Sequence, residues 1–167
     1  MKNRIYFQKF ISDDDFQYLL NLVSNEKVMI MNFGRAFQLE EAKKYYKRVL
    51  QNNEKHEDFG HFKVFEATTN TFIGMGELSI NDNFTEAEIG YLLLPEYWGK
   101  GYGSESAREL LTKAEETKSI RRVTATTDPN NIASKKILLN SGFVSCKIYK
   151  IDDGSSAEMF SKEIAHF

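Results

Sequence analysis

The spacing of hydrophobic and polar positions predicts an alternation of strands and helices in the first half of the chain. Residues 4–11 favour a strand, and Ser12 with the acidic residues after it is typical of a helix start. Two amphipathic helices follow, with apolar faces formed by Phe16, Leu19, Leu20 and Val23 and by Leu39, Ala42, Tyr46, Val49 and Leu50. Residues 25–35 and 52–58 are predicted to be irregular. The first of these segments contains Met29, Met31 and Phe33, which fit either core packing or an acceptor pocket.

The second half of the chain shows a mixture of the two periods. Strands are predicted at residues 61–68, 72–80, 85–94, 121–127, 143–151 and 158–164. One helix is expected from the glycines near residue 100 to about residue 118, and another from Asn130 or Asn131 to Leu139, with Gly142 as its stop. The element order is therefore β-α-α-β-β-β-α-β-α-β-β, which indicates one α/β domain over residues 1–167.

One stretch joins a predicted strand to a predicted helix through closely spaced glycines. Pro95 cannot donate to a strand ladder and ends the strand, and Gly99, Gly101 and Gly103 follow it. Glycines allow a backbone to approach a ligand, and a helix start offers free N–H groups, so the stretch is typical of a phosphate site. It also fits a tight turn without a ligand. Ser104 stands where a dinucleotide fingerprint would need its third glycine, and no Walker Lys-Ser/Thr pair is present.

Composition narrows the class of protein. Of the 167 residues, 41% are hydrophobic and 28% charged, as in ordinary globular domains, and the net charge of −2 argues against a nucleic-acid-binding surface. The sole cysteine, Cys146, excludes an internal disulfide and is expected in the core. Neither a signal peptide nor an apolar run long enough for a membrane span is evident, so we expect a cytoplasmic protein. His56 and His61 are expected to be solvated loop residues, and no metal site is predicted.

Two motifs carry a resemblance to a known family. The segment Pro-Glu-Tyr-Trp-Gly-Lys-Gly-Tyr-Gly at residues 95–103 resembles the pyrophosphate loop of the GNAT acetyltransferase superfamily, in particular its ribosomal-protein N-terminal acetyltransferase branch. Trp98 stands where the superfamily has Gln or Arg, as is common in that branch. The segment Asp-Pro-Asn-Asn-Ile-Ala-Ser at residues 128–134, with Gly142-Phe143 after it, is similar to the family's N-x-x-S/A…G-F segment. The resemblance covers roughly the C-terminal half of the chain and implies a mostly antiparallel mixed sheet flanked by helices.

The resemblance implies that acetyl-CoA is a co-substrate. Its pyrophosphate would lie on backbone N–H groups of Gly99, Lys100, Gly101, Tyr102, Gly103 and Ser104, and the Lys100 ammonium either adds charge there or is merely solvated. Its pantetheine arm would run along Leu92, Leu93 and Leu94, with an N–H near Leu93 stabilising an oxyanion. Asn131 matches the asparagine that orients pantetheine in the family, and it equally fits a helix N-cap.

The resemblance also implies two catalytic residues. Glu88 matches a strand glutamate that serves as general base, often through water, and Glu77 on the neighbouring strand is the reserve candidate. Ser134 matches a serine that lies near the thioester sulfur and assists the leaving thiolate. Many family members place a tyrosine four residues later, where this chain has Leu138. Ser134, a water or a tyrosine from elsewhere must then protonate the thiolate, unless no acid is needed.

These residues lead to a functional expectation. The chain is expected to be an acetyl-CoA-dependent N-acetyltransferase in which a primary amine attacks the thioester directly. The acceptor would be a protein N-terminus or a small amine, and the acids at Glu77, Asp82, Glu86 and Glu88 mildly favour a cationic small amine. The alternative is an acyl-CoA-binding module of the same fold without turnover. No nucleic acid or membrane partner is expected, and a homodimer is possible because dimers are common in the family.

Overall fold

The computed structural model of the chain describes residues 3–152 and 154–166. Its strands are β1 Ile5–Lys9, β2 Gly60–Glu66, β3 Phe72–Ile80, β4 Glu86–Leu93, β5 Arg122–Thr127, β6 Val144–Lys150 and β7 Ser156–Glu163. Its helices are α1 Phe16–Val23, α2 Glu26–Met29, α3 Leu39–Lys55, α4 Tyr102–Glu115 and α5 Ile132–Asn140. Short 3-10 turns at Asp13–Asp15 and Pro95–Tyr97 lead into α1 and into the glycine loop.

The seven strands form a single sheet in the order β1-β2-β3-β4-β5-β7-β6. All neighbouring strands are antiparallel except β4 and β5, which run parallel because α4 connects them. The predicted mostly antiparallel mixed sheet flanked by helices is confirmed.

The two faces of the sheet are covered by different helices. On one face, Leu78 and Ile89 pack with Leu110 of α4 in the largest apolar cluster. On the other face, Met75 packs with residues of α1, α2 and α3, among them Leu19 and Val49. Since successive strand residues point to opposite faces, β4 sends Ala87, Ile89, Tyr91 and Leu93 towards α4, and Glu88, Gly90 and Leu92 towards α1–α3.

Two segments differ from the sequence-based expectation. Residues 25–35 contain the short helix α2, which begins where Asn25 Oδ1 accepts a hydrogen bond from the Val28 N–H. Helix α3 continues to Lys55, so the predicted loop at 52–58 is mostly helical. Residues 51–55 are polar and form no apolar face, so the hydrophobic pattern did not indicate that the helix continues through them.

Two single residues also lie elsewhere than expected. His61 is buried, with 6% exposure, because β2 begins at Gly60 and places the imidazole opposite Glu77 under α3. Cys146 is exposed, since it belongs to β6, the outer strand of the sheet, where every residue is exposed. An alternating pattern cannot distinguish an outer strand from a covered one, so the core prediction for Cys146 was wrong.

Candidate active site

The glycine loop forms a cluster of free backbone donors. Gly99 and Gly101 have φ angles of +72° and +88°, a region that other residues seldom enter. Gly101 is the N-cap of α4, and its carbonyl accepts the first helical hydrogen bond, from the Glu105 N–H. Within residues 3–152 and 154–166, no acceptor binds the backbone N–H groups of residues 99–104. Six consecutive free donors at a helix start suit an anion such as a pyrophosphate.

Arg4, near the N-terminus, binds this loop through Lys100 and Glu105. Its backbone N–H and its Nε donate to the two carboxylate oxygens of Glu105 at 2.7 and 2.9 Å. Its Nη1 donates to the Lys100 carbonyl at 3.1 Å, and its guanidinium lies 4.3 Å from the centre of the Tyr102 ring. Sequence reasoning missed Arg4 because it lies almost a hundred residues before the loop and belongs to no motif. The guanidinium both fixes the loop and adds positive charge beside it.

Next to the loop, strands β4 and β5 separate. Their parallel pairing covers only Glu86–Arg122, Ala87–Val123 and Glu88–Thr124, although β4 continues to Leu93. Beyond Glu88 a cleft therefore opens between the two strands. Backbone groups along that side of β4 are available to an extended ligand, which can bind there as an added strand does.

The direction of the β4 backbone groups follows from its pairing with β3. The Leu94 N–H donates to the Ile73 carbonyl on β3, and alternate residues of an antiparallel strand point the same way. The N–H groups of Tyr91 and Leu93 consequently point towards the cleft. The Leu93 carbonyl accepts a hydrogen bond from the indole Nε1 of Trp98 at 2.9 Å. Leu93 thus presents a donor to the cleft while Trp98 occupies its acceptor.

Two hydroxyl groups lie near the cleft, that of Ser134 at the start of α5 and that of Tyr91 on β4. Asn131 caps this helix, because its Oδ1 accepts a hydrogen bond from the Ser134 N–H at 3.1 Å. Tyr91 Oη is enclosed and has no hydrogen-bond partner among the described residues. Burial raises the pKa of the Tyr91 hydroxyl, and the nearby Ser134 hydroxyl offsets part of that rise. Leu138 is 2% exposed in the core between α5 and the sheet, where it packs and also forms part of the cavity wall.

A cavity of about 330 Å³ connects the cleft with the space beneath α1–α3. Its cleft side is formed by Gly90 to Leu92 of β4, Ala125 to Thr127 of β5, and Ser134. Its other side is formed by residues from α1, the segment after it, α3 and β3, which include Met29, Asn32, Phe33, Phe37, Tyr45, Arg48 and Glu77. Met29 and Phe33 therefore line a pocket as well as contributing to packing.

Two carboxylates on the α1–α3 face have perturbed acidity. Glu77 lies opposite Gly90, and Glu88 lies opposite Ser79, so the two are diagonal neighbours on one face. Burial raises the pKa of Glu77, which lines the cavity. Glu88 still reaches solvent, yet the surrounding protein raises its pKa and the Glu77 carboxylate adds to the rise. Glu88 is not among the cavity-lining residues; it lies where β4 and β5 part.

His61 lies opposite Glu77 on the neighbouring strand β2. Its Nε2 is 3.6 Å from Glu77 Oε1, and its Nδ1 has no partner within the described chain. Burial lowers the pKa of His61 to about 4, so the imidazole is neutral near pH 7. A neutral histidine leaves the charge of Glu77 uncompensated. Among residues 3–152 and 154–166, no cluster of three or more His, Cys, Asp or Glu residues is arranged to hold a metal ion.

Comparison with known proteins defines the family. The model of the acetyltransferase (GNAT) domain matches residues 4–144, so the chain belongs to the GNAT acetyltransferase family. The chain is 27% identical over 154 residues to the probable N-acetyltransferase YjcK of Bacillus subtilis, covering 86% of this chain and 82% of YjcK. A shorter match, 32% identical over 83 residues, spans 49% of this chain and about half (47%) of the uncharacterized N-acetyltransferase p20 of Bacillus licheniformis.

Solved structures share the fold over nearly the whole chain. One is a spermidine N-acetyltransferase from Vibrio cholerae in complex with CoA and spermine, with a TM-score of 0.79, 17% identity and coverage of 97% of this chain and 96% of that one. Another is a RimL ribosomal L7/L12 α-N-protein acetyltransferase in complex with coenzyme A, with a TM-score of 0.80, 19% identity and coverage of 98% and 96%. At these identities the likeness concerns the fold. In the part of the chain that the structure describes, no helix is long and apolar enough to cross a membrane.

Proposed function

We propose that the protein transfers the acetyl group of acetyl-CoA to a primary amine. The observation that carries this proposal is the alignment of three features along one cleft: six free N–H donors at residues 99–104, the open edge of β4, and a cavity that reaches perturbed carboxylates. The donors fit a pyrophosphate, and the open edge fits the amide-bearing pantetheine arm. The family and the CoA complexes of its structural relatives support acetyl-CoA as the co-substrate.

In the proposed site, residues 99–104 bind the pyrophosphate and Leu92–Leu94 face the pantetheine arm. Of these leucines, Leu93 offers an N–H to the cleft, while the Leu94 N–H is already bonded to Ile73. Asn131 uses its oxygen as the cap of α5 and keeps its amide nitrogen for the arm. These assignments, including the charge that Lys100 adds, stay predictions.

The proposed reaction is direct attack by the amine on the thioester carbonyl. Glu88, directly or through a water, accepts a proton from the amine, and a carboxylate with a raised pKa suits a base near neutral pH. The nitrogen forms a bond to the carbonyl carbon, the Leu93 N–H stabilises the developing oxyanion, and the carbon–sulfur bond breaks. Glu77 lines the cavity itself and is the second candidate for the base.

Two hydroxyls are placed to help the leaving thiolate. We assign Ser134 as the group beside the sulfur, and the enclosed Tyr91 hydroxyl as its neighbour. Tyr91 stays protonated because burial raises its pKa. It can donate a hydrogen bond to the Ser134 oxygen and so strengthen Ser134 as a donor to sulfur. The thiolate then takes its proton from water, or from Ser134 while a water returns a proton to the Ser134 oxygen.

The acceptor class remains open between a protein N-terminus and a small amine. Structural relatives act on both kinds, a ribosomal protein in one case and spermidine in another. The Trp98 motif favours the ribosomal-protein branch, and the mixed cavity walls favour a small amine. A cytoplasmic location and a homodimer stay predictions.

The test is release of CoA from acetyl-CoA against peptide N-termini, polyamines, amino sugars and amino acids. Reactions without an acceptor control for hydrolysis, and mass spectrometry of each acceptor checks for a gain of one acetyl group. We expect release that depends on at least one amine. Tight binding of acetyl-CoA without transfer to any amine would contradict the proposal and favour a non-catalytic acyl-CoA-binding module.

A further inference from the structure

The acceptor side of the cavity contains one positive and one negative side chain that do not pair with each other. Arg48 of α3 and Glu77 of β3 both line the cavity. No ion pair joins them within 4.0 Å, although several such pairs form elsewhere among the described residues. Two opposite charges that border one small cavity without contact create a dipolar field across it, which solvent partly screens because Arg48 is exposed overall.

Neither charge is neutralised by another neighbour in the described chain. Arg48 forms no ion pair among the described residues, and its guanidinium carbon lies 5.9 Å from the centre of the Tyr45 ring. Among the described residues, Glu77 has no cation within 4.0 Å; the neutral His61 lies 3.6 Å away, and its diagonal neighbour Glu88 is also acidic. The carboxylate therefore keeps its capacity for an ammonium group, and the guanidinium keeps its planar donors for an anion.

The Tyr45 hydroxyl lies within the electrostatic reach of both Glu77 and Arg48. Its ring lies between α3 and the sheet and meets His61 edge-on at 6.1 Å. The pKa of the Tyr45 hydroxyl is raised, first by burial and then by Glu77, and Arg48 opposes that rise. A group near this hydroxyl is consequently within electrostatic reach of the carboxylate and of the guanidinium.

The remaining walls on this side are mostly apolar. Met29, Phe33, Phe37 and Met75 line it, and Phe33 and Phe37 meet edge-on at 4.7 Å. A cavity of about 330 Å³ that also includes the cleft side leaves room for a small acceptor body, not a folded partner. Apolar walls with two opposite charges fit an apolar molecule with ionic groups at two points.

We propose that the acceptor is a small zwitterionic amine, a molecule that carries a primary amine and a carboxylate on an apolar body, as an apolar amino acid does. Its amine lies at Glu77 and its carboxylate at Arg48. The proposal rests on the proposed acetyl transfer and specifies its substrate class. Arg48 is then a specificity-determining residue, because it repels the second ammonium group of a polyamine and binds an anion there.

The experiment compares matched acceptors that differ only in the carboxylate. The pairs are leucine with 3-methylbutylamine, phenylalanine with 2-phenylethylamine, and 6-aminohexanoate with pentylamine, and spermidine represents polyamines. Each is assayed with the wild type, Arg48→Gln and Arg48→Glu. Lys44→Gln is the control, since Lys44 is an exposed cation on the same helix that does not line the cavity.

We expect the wild type to favour at least one amino acid over its carboxylate-free partner by about tenfold or more in kcat/KM, as one charge-assisted contact gives. Arg48→Gln should remove this preference, chiefly through KM, and Arg48→Glu should shift it towards spermidine. Lys44→Gln should preserve it. As a readout without turnover, 3-phenylpropionate should compete with the amine in the wild type and not in Arg48→Gln.

Two other outcomes would contradict the zwitterion proposal or the proposed acetyl transfer. If carboxylate-free amines or spermidine are preferred by the wild type, or if Arg48→Gln leaves the preference unchanged, the zwitterion proposal is wrong and acetyl transfer stands. If the wild type binds acetyl-CoA and acetylates no amine, the proposed function itself fails.

Discussion

The proposed co-substrate site and the cavity beside it are built in different ways. The proposed co-substrate site, which we call the cofactor end, would consist of backbone N–H groups from consecutive residues 99–104 and of one strand edge, and its geometry follows from glycines and a helix start. The acceptor end consists of side chains from α1, α3, β3 and the segment between α1 and α3. A backbone site tolerates variation at most side chains, whereas a side-chain site changes its ligand with each substitution. One fold can therefore keep a common co-substrate and vary its acceptor.

The largest expected effect is at the cofactor end. Gly101→Glu places an anionic side chain at a position with a φ of +88°, beside the free donors. Strain and repulsion should weaken acetyl-CoA binding by at least about a hundredfold, measured by calorimetric titration.

Gly154→Glu is the matched control for this substitution. Gly154 has a φ of +86° with open space around it, in the turn between β6 and β7, so the backbone strain is similar. Acetyl-CoA should bind this variant as it binds the wild type. Equal affinity of both variants would show that residues 99–104 do not bind the co-substrate.

The same contrast explains what the sequence could predict. The glycine loop, the cap at Asn131 and the end of β4 at Pro95 depend on neighbours in the chain, and local patterns indicate them. A ligand-binding edge along Leu92, Leu93 and Leu94 followed from the family resemblance, not from periodicity. By contrast, the contacts of Arg4 with Lys100 and Glu105 join residues far apart in sequence. The same is true of the cavity that Arg48 and Glu77 both line without contact. No local pattern contains that information. The burial of His61 could not be predicted from the sequence for the same reason.

The second largest effect is expected from Glu88→Gln, and it should differ in kind from the effect of Glu77→Gln. Glu88→Gln should lower kcat by about a hundredfold without weakening acetyl-CoA binding, because an amide cannot accept the proton. Glu77→Gln should raise the KM of the amine more than it lowers kcat, since Glu77 lines the acceptor cavity. Glu86→Gln, on the same face of β4, is the control for both.

The pH profile gives an independent check of the base. The pKa of Glu88 is raised by burial and by Glu77, so activity should fall as the pH decreases through a value above the usual carboxyl range. The fall occurs on the acidic side because only the carboxylate accepts a proton. Glu88→Gln should abolish this limb of the profile. Glu77→Gln should only shift the limb to lower pH, because the Glu77 carboxylate raises the pKa of Glu88. If Glu77→Gln abolishes the limb and Glu88→Gln keeps it, Glu77 is the base and the acceptor end contributes the proton transfer as well.

A smaller effect is expected where the two ends meet. Tyr91→Phe removes an enclosed hydroxyl that makes no well-formed hydrogen bond and has Ser134 as its polar neighbour, so the free energy of unfolding should fall by no more than about 1 kcal/mol. The loss of its support for Ser134 should lower kcat by about tenfold, equivalent to about 1.4 kcal/mol. Ser134→Ala should lower kcat at least as much, and the double variant should not add the two effects. An unchanged kcat in Tyr91→Phe would mean that the hydroxyl is only a core group.

The smallest expected effect concerns Trp98, which borders the cleft from the cofactor end. Its indole N–H donates to the Leu93 carbonyl, and the side chain is otherwise 47% exposed. Trp98→Phe keeps an aromatic ring and removes the donor, which should cost about 1 kcal/mol and lower Tm by about 2–4 °C. Since the Leu93 N–H points to the cleft whether or not its carbonyl is bonded, acetyl-CoA affinity should change less than in Gly101→Glu. Thermal unfolding with and without acetyl-CoA measures both quantities. A loss of affinity as large as that of Gly101→Glu would show that the edge of β4 depends on this one side chain, and the cofactor end would then not be a purely backbone site.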